Sequence, residues 1–308
     1  MKKKFIWTMG IVLMAFLVGT IGGSFYMLNF SLAPDPNRTD TDSCYKALFQ
    51  EYPETKAWVD SLRHINALRD TFLLMPSGER HHAFYVRNGS KKTAMVIHGW
   101  RDCAIKFFQL ARIYEHDLGY NVVMPDLHAH GQSEGKSIRM GWLDSKDALH
   151  WLSLFQTDTM VVHGVSMGAA TAMMMSAQEM PKGIKDIHFI EDCGYTSVWD
   201  EFSQQLKEQF GLSEFPLMYS TSLLSKLRDG WSFDEASSIG QVKNCKYPML
   251  FIHGDSDTFV PTEMVFRLYE AKSKPKELWI TKDTDHALSY KNHKKEYIHR
   301  IRKFLNTH

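Results

Sequence analysis

One decapeptide constrains the fold of this chain more than any other: Val161-Val162-His163-Gly164-Val165-Ser166-Met167-Gly168-Ala169-Ala170. Apolar strand-forming residues run into a G-x-S-x-G turn, and small residues then continue as helix. A serine presented on a tight strand-to-helix turn needs small neighbours, because the backbone there is strained and crowded. Gly164 and Gly168 meet that need. The segment therefore predicts a buried strand, a helix packed against it, and Ser166 exposed as a nucleophile. The Met167 amide, at the start of the helix, would point at developing negative charge.

The same alternation recurs through the chain. Short β-rich runs fall at 83–86, 93–97, 121–124, 159–162, 187–190, 249–252 and 278–280. Stretches with helical spacing lie between them, at 105–114, 141–155, 167–180, 262–271 and 291–305. Strands recurring between helices imply a mostly parallel sheet covered on both faces. One interval breaks the rhythm. Between Cys193 and Lys246 there are about fifty residues and no strand pattern, too long for an ordinary connection. With helical patterns at 199–210, 217–227 and 233–238, it reads as a helical lid, about 195–244.

The N-terminus is a separate problem. Lys2, Lys3 and Lys4 precede a stretch without charge from Phe5 to Ala33. About 20 apolar residues suffice to span a bilayer, and residues 5–30 exceed that. A cleaved signal has a shorter apolar region, and Pro34 follows the only small-residue cleavage site. Residues 1–33 thus read as an uncleaved anchor, with the rest of the chain outside the cytoplasm. Secretion after signal cleavage is the alternative. Residues 34–56 read as a polar stalk and 57–308 as the soluble domain. A helix over 55–70 would dock through Trp58, Leu62 and Ile65. On this division, removing residues 1–33 leaves a soluble, active, monomeric domain.

Further chemistry clusters at strand ends. His98-Gly99-Trp100 closes one strand, and a loop of this kind supplies a second oxyanion donor. The backbone amides of Trp100 and Met167 are assigned to that role, and His98 reads as a loop-organising residue. His253-Gly254-Asp255-Ser256-Asp257 follows another strand. Two aspartates compete there for the role of orienting acid. Asp257 lies deeper in the loop, while Asp255 could hold the turn. His286 follows the last strand, which gives the order Ser166, Asp257, His286. Asp283 and Asp285 read as loop residues. His128, His130 and His163 lack a carboxylate-histidine spacing, so neither metal nor organic cofactor is expected.

The chain resembles the α/β-hydrolases from about residue 60 to 308. The resemblance is carried by His98-Gly99-Trp100, Asp126 with His130-Gly131-Gln132-Ser133, the Ser166 elbow, the Asp257 loop and His286. It implies a Ser-His-Asp triad, a three-layer sandwich with an eight-stranded, mostly parallel sheet, and a variable lid. Residues 223–242 and 249–262 further resemble a branch of membrane-anchored or cell-surface hydrolases of Gram-positive bacteria. That branch is similar to dipeptidyl/acylaminoacyl peptidases and bile-acid-CoA acyltransferase-like hydrolases. Peptidases of this fold often carry a propeller domain, for which this chain has no repeat.

Thirty-six Lys and Arg against 35 Asp and Glu leave a formal charge of +1, too little to draw the chain to nucleic acid. Four cysteines, at 44, 103, 193 and 245, form no CxxC pair, and their spacing predicts no bridge. Aromatic and aliphatic residues of the lid suit a modest apolar acyl site. The reading is a serine hydrolase acting on carboxylic esters of small, partly apolar substrates. Its alternatives are a peptidase or amidase on small peptides, an acyltransferase, and a non-catalytic binding module. No oligomer is implied.

Overall fold

The computed structural model describes residues 2–308. Eight strands form one sheet: β1 (Leu68–Leu74), β2 (Arg80–Val86), β3 (Lys92–Ile97), β4 (Asn121–Pro125), β5 (Thr159–Val165), β6 (Asp186–Asp192), β7 (Met249–Gly254) and β8 (Lys276–Thr281). Their order is β1-β2-β4-β3-β5-β6-β7-β8. β1 pairs antiparallel with β2, and β2 antiparallel with β4; every other pairing is parallel. The central strands are buried along their length, as a sheet covered on both faces requires. Two apolar cores lie on its two sides.

The N-terminal third folds differently from its sequence reading. Helix α1 (Lys2–Leu32) is long and apolar enough to cross a bilayer by length and composition. Its residues from Lys3 to Gly19 are exposed, but its last turns dock on the domain. Ser24, Leu28 and Leu32 recur every four residues on one buried face, the two leucines fully covered. The expected stalk at 34–56 is not a free linker. It contains helix α2 (Thr41–Glu51), N-capped by Asp40 and with Leu48 in the core, and the start of α3 (Glu54–His64). Trp58 and Leu62 dock α3 as expected, but the helix stops before Ile65, which is exposed. The first strand, β1, lacks alternation because it is a largely exposed edge strand paired on one side.

Helix α4 (Phe108–Arg112) covers one face of the sheet, and α5 (Asp144–Leu152) and α6 (Met167–Met175) cover the other. Between β6 and β7 stand α7 (Val198–Phe210), α8 (Leu217–Asp229) and the short α9 (Ser238–Val242). Gly211 and Gly230 end α7 and α8 in left-handed conformation, where glycine carries no Cβ penalty. α8 packs on the docked end of α1: Ser24 Oγ donates to Ser220 Oγ over 2.6 Å, and Arg228 donates to Asn29 over 2.9 Å. Helix α10 (Glu263–Ala271) follows β7, and the chain closes with α11 (Ser289–Asn292) and α12 (Lys294–Thr307).

These contacts revise the expected deletion boundary. Cutting after residue 33 removes Leu28 and Leu32, each worth about 1.5–3 kcal/mol of burial. Cutting after Gly22 spares both. Thermal unfolding of the two truncated chains should show a midpoint several degrees lower, or no soluble fold, only for the longer deletion. Equal midpoints would mean that the docked turns contribute no stability.

Candidate active site

The site is set by how closely α6 starts against the sheet. A Cβ at Gly164 would stand 2.0 Å from the Gly168 carbonyl oxygen, and one at Gly168 would stand 2.2 Å from that of Ile97. Only glycine fits either position. Ser166 between them adopts φ 55°, ψ −118°, a conformation rarely taken by a residue with a side chain. Its amide donates to the Asp192 carbonyl over 2.8 Å, which fixes the turn to β6.

The turn aims Ser166 Oγ at His286, with 2.9 Å to Nε2, and His286 Nδ1 lies 2.7 Å from Asp257 Oδ2. Ser166, Asp257 and His286 therefore form one hydrogen-bonded chain. The Asp257 side chain is wholly buried, and its Oδ1 accepts from the amides of Phe259 and Val260. His253 also approaches Oδ2, at 3.2 Å. Burial alone would push the Asp257 carboxyl up, but hydrogen bonds from His253 and His286 outweigh it and hold the group below the usual carboxylate range. Asp255 takes the other part open to it: its Oδ1 accepts from the Thr284 amide and caps the turn. Asp283 is exposed, and Asp285 accepts from the His286 amide. Phe259 lies against the His286 ring at 5.0 Å.

Loop 98–104 runs beside Ser166; a methyl at Gly99 would stand 3.5 Å from Ser166 Cβ. Two histidines hold this loop, each with one ring nitrogen accepting and the other placed to donate. His98 Nε2 accepts from the Leu127 amide and Nδ1 meets the Gly99 carbonyl. His130 Nε2 accepts from the Arg101 amide and Nδ1 meets the His128 carbonyl. Asp126 accepts from the Ala104 and Gln132 amides and from His82. Gly131 is required where it stands, since a Cβ there would overlap the Asp126 carboxyl.

His163, within β5, is fully buried between two tyrosines. Tyr297 donates to Asp192, His163 Nε2 lies 2.9 Å from the Tyr297 oxygen, and Nδ1 lies 2.9 Å from the Tyr114 hydroxyl. Burial pushes its pKa down to about 3 and keeps it neutral. Among the described residues, two groups come close enough to hold a metal: Glu79, His81 and His128, and Cys193, Asp257 and His286. The second shares two members with the Ser166 chain. In the first, Glu79 is already paired with Arg139 at 2.9 Å.

A cavity of about 200 Å³ opens at Ser166. Trp100, Met167, Tyr195 and Phe202 line it; the lid, from which an apolar acyl site is expected, supplies Tyr195 and Phe202. Several contributors have no sequence signal, among them residues of α1 and α7. Phe30 and Ser31 come from α1, and Glu201 from α7. Trp100 Nε1 donates to the Ser31 carbonyl over 2.9 Å, and Arg101 donates to those of Phe30 and Ala33. The end of α1 is thus tied to the loop carrying the Trp100 amide. The Cys44 and Cys103 sulfurs, with no spacing to relate them, lie 2.9 Å apart and join α2 to the same loop.

Comparison with known proteins agrees with this fold. Residues 95–214 match the family model described as alpha/beta hydrolase fold, and residues 208–308 match that of the prolyl oligopeptidase family. The chain is 30% identical over 219 residues to the uncharacterized protein YqkD of Bacillus subtilis, covering 70% of this chain and 71% of that protein. Among solved structures, the esterase Pf2001 of Pyrococcus furiosus superimposes with a TM-score of 0.62 at 23% identity, covering 78% of this chain and 92% of that one. A predicted CIB-like hydrolase of Thermoplasma acidophilum superimposes at 0.55 with 19% identity, covering 79% and 99%.

Beneath the site, Glu191 is fully buried; Oε2 accepts from the Gly194 amide over 2.9 Å and Oε1 has no partner. Burial pushes its pKa from 4.5 up to about 8. An acid raised in the folded state stabilises the fold fully below its unfolded pKa, and that contribution fades as pH rises toward the folded value. The thermal midpoint should therefore decline between about pH 4.5 and pH 8, and Glu191→Gln should flatten the decline. An identical slope in the variant would remove Glu191 as its source.

Proposed function

This chain belongs to the α/β-hydrolase superfamily, and we propose that within it Ser166, His286 and Asp257 are the nucleophile, the base and the orienting acid of a carboxylic-ester hydrolase. The continuous chain Ser166 Oγ, His286, Asp257 is the observation that carries the reading. Ser166 Oγ attacks the ester carbonyl carbon while His286 Nε2 takes its proton. Asp257 holds Nδ1–H toward itself, which fixes the tautomer and stabilises the imidazolium that forms. The carbonyl oxygen becomes an oxyanion between the Trp100 and Met167 amides. Met167 supplies the first amide of α6, one of those left without an intrahelical carbonyl. Removing one such donor costs about 3 kcal/mol of transition-state stabilisation in other enzymes. The alkoxide leaves with the proton from His286, and an acyl group remains on Ser166. Water, deprotonated by His286, then adds to the acyl carbon; collapse releases the acid and restores Ser166. No step requires a cofactor.

Two observations favour an ester with an apolar part. The Ser166 cavity is lined mainly by aromatic and aliphatic side chains, and its volume of about 200 Å³ is small for a polymer. The match of 208–308 to the prolyl oligopeptidase family keeps a peptidase reading as the second choice, since that segment contains the acid and the base.

We further read α1 as a membrane anchor that leaves the domain outside the cytoplasm, as in the membrane-anchored hydrolases of Gram-positive bacteria. The free apolar part of α1, from Phe5 to Gly22, measures ~27 Å at 1.5 Å per residue, close to the thickness of a hydrocarbon core.

Intact mass after exposure to a fluorophosphonate should show one adduct on the full chain and none on Ser166→Ala. Asp257→Asn should keep the fold and lose about 10⁴-fold in kcat, the cost of a misplaced tautomer. A panel of esters and peptide amides decides between the two readings. A folded chain with no adduct would overturn both.

A further inference from the structure

The end of α1 does more than hold the domain in place. Phe30 and Ser31 line the Ser166 cavity, and the same two residues, with Phe202, Gln205 and Gln209, line a narrower crevice that adjoins it. The crevice continues away from Ser166 between α1, α7 and α8, toward Met27 and Leu217. Phe210 closes it at one side, edge-on to Phe30 with 5.6 Å between ring centres. Its far end lies where α1 leaves the domain. There a Cβ at Gly23 would stand 3.0 Å from Leu217 Cδ1. The path from the nucleophile thus ends at the root of the apolar helix.

Two features match this path to an amphiphile. Along α7, Glu201, Gln205 and Gln209 recur every four residues and form a polar ladder on one wall. Gln209 donates to Gln205 over 2.6 Å and Gln205 to Glu201 over 3.1 Å. Glu201, almost wholly buried, keeps Oε2 without a partner in the cavity wall. The opposite wall is apolar. Outside, the turn joining α7 to α8 exposes Leu212 and Phe215, the latter 72% exposed, and Tyr219 and Leu223 continue that ridge at helical spacing. A soluble surface seldom carries so many large apolar residues together. The free length of α1 brings the bilayer surface to about Gly23, which meets Leu217 at the start of α8, two residues past Phe215.

We propose that the last turns of α1 form a wall of the substrate site: the acyl chain of a bilayer-resident amphiphilic ester lies in the crevice between α1, α7 and α8, with its carbonyl at Ser166 and a polar group on the Glu201 ladder. The inference rests on Ser166 as nucleophile and α1 as anchor. The anchoring helix then selects substrate as well as location, and the ester reaches Ser166 from the membrane side.

The test uses the full chain in phosphatidylcholine nanodiscs. Phe30→Trp fills the crevice and Phe30→Ala widens it. For p-nitrophenyl esters, Phe30→Trp should lower kcat/KM for octanoate about tenfold more than for acetate, the scale of a misfit group in an apolar pocket. Phe30→Ala should move the preference to longer chains and guards against misfolding of the tryptophan variant. Phe215→Glu should lower turnover of an oleoyl ester carried in phosphatidylcholine vesicles relative to octanoate in solution. If both Phe30 variants change acetate and octanoate in the same proportion while the fluorophosphonate adduct still forms, the crevice does not hold the chain and this inference fails alone. If the unmodified chain gives neither adduct nor ester turnover, the hydrolase reading fails with it.

Discussion

Three backbones meet where α6 begins, and the rest of the site follows from that approach. The start of the helix can press against β3 and β5 only because positions 164 and 168 have no Cβ. The small residues Ala169, Ala170 and Ala172 keep the helix close to the sheet beyond the turn. Ser166 then has little choice of conformation. Its strained φ, a cost of about 1–3 kcal/mol, is maintained by the surrounding packing and by its bond to β6. Because the strain is held by backbone rather than by flexible side chains, Oγ stays aimed at His286 without a substrate to order it.

The histidines of this chain show how a metal-like composition can serve positioning. There are fifteen of them. His98 and His130 each bridge an amide to a carbonyl, so each needs one protonated and one free ring nitrogen. Burial pushes His130 well below its usual pKa, which preserves that neutral form. The loop carrying the Trp100 amide is thereby held in place; in the oxyanion role proposed for that amide, a preorganised donor costs no reorganisation at the moment of reaction. Asp126 completes the frame from below, with burial opposing its charge and His82 and the loop amides sustaining it.

The strands and the elbow were legible because sheet burial and backbone crowding both demand residue types that can be read in order. The competition between Asp255 and Asp257 was harder. Both lie in one loop, and only its folded path shows that Asp257 receives two amides and the imidazole while Asp255 caps the turn. β1 was missed since an exposed edge strand has no buried face to impose alternation. The segment 34–56 looked like a stalk because its prolines and acids are those of a linker. Asp40 nevertheless caps a helix, and Leu48 seats it with Tyr45 and Phe49 packed beside it. Glu201 offered no sequence signal either, as one acid among many on an amphipathic helix.

The largest difference between sequence and structure concerns α1, and its cause is physical. Lipid and a protein interior accept the same side chains, so a helix apolar all round carries no mark of where one environment ends and the other begins. The structure supplies the boundary. Ser24 is satisfied by Ser220, Leu28 and Leu32 are covered, and the carbonyls of Phe30, Ser31 and Ala33 accept from Trp100 and Arg101. Those bonds leave no loose joint between the helix and loop 98–104. If the free turns lie in a bilayer, the active site has a fixed height and tilt above it. A domain on a flexible tether would sample any orientation, whereas this one would present the same cavity to the same lipid surface at every encounter. On that reading the rigid connection, besides burying Leu28 and Leu32, suits a hydrolase whose substrate is held in the membrane.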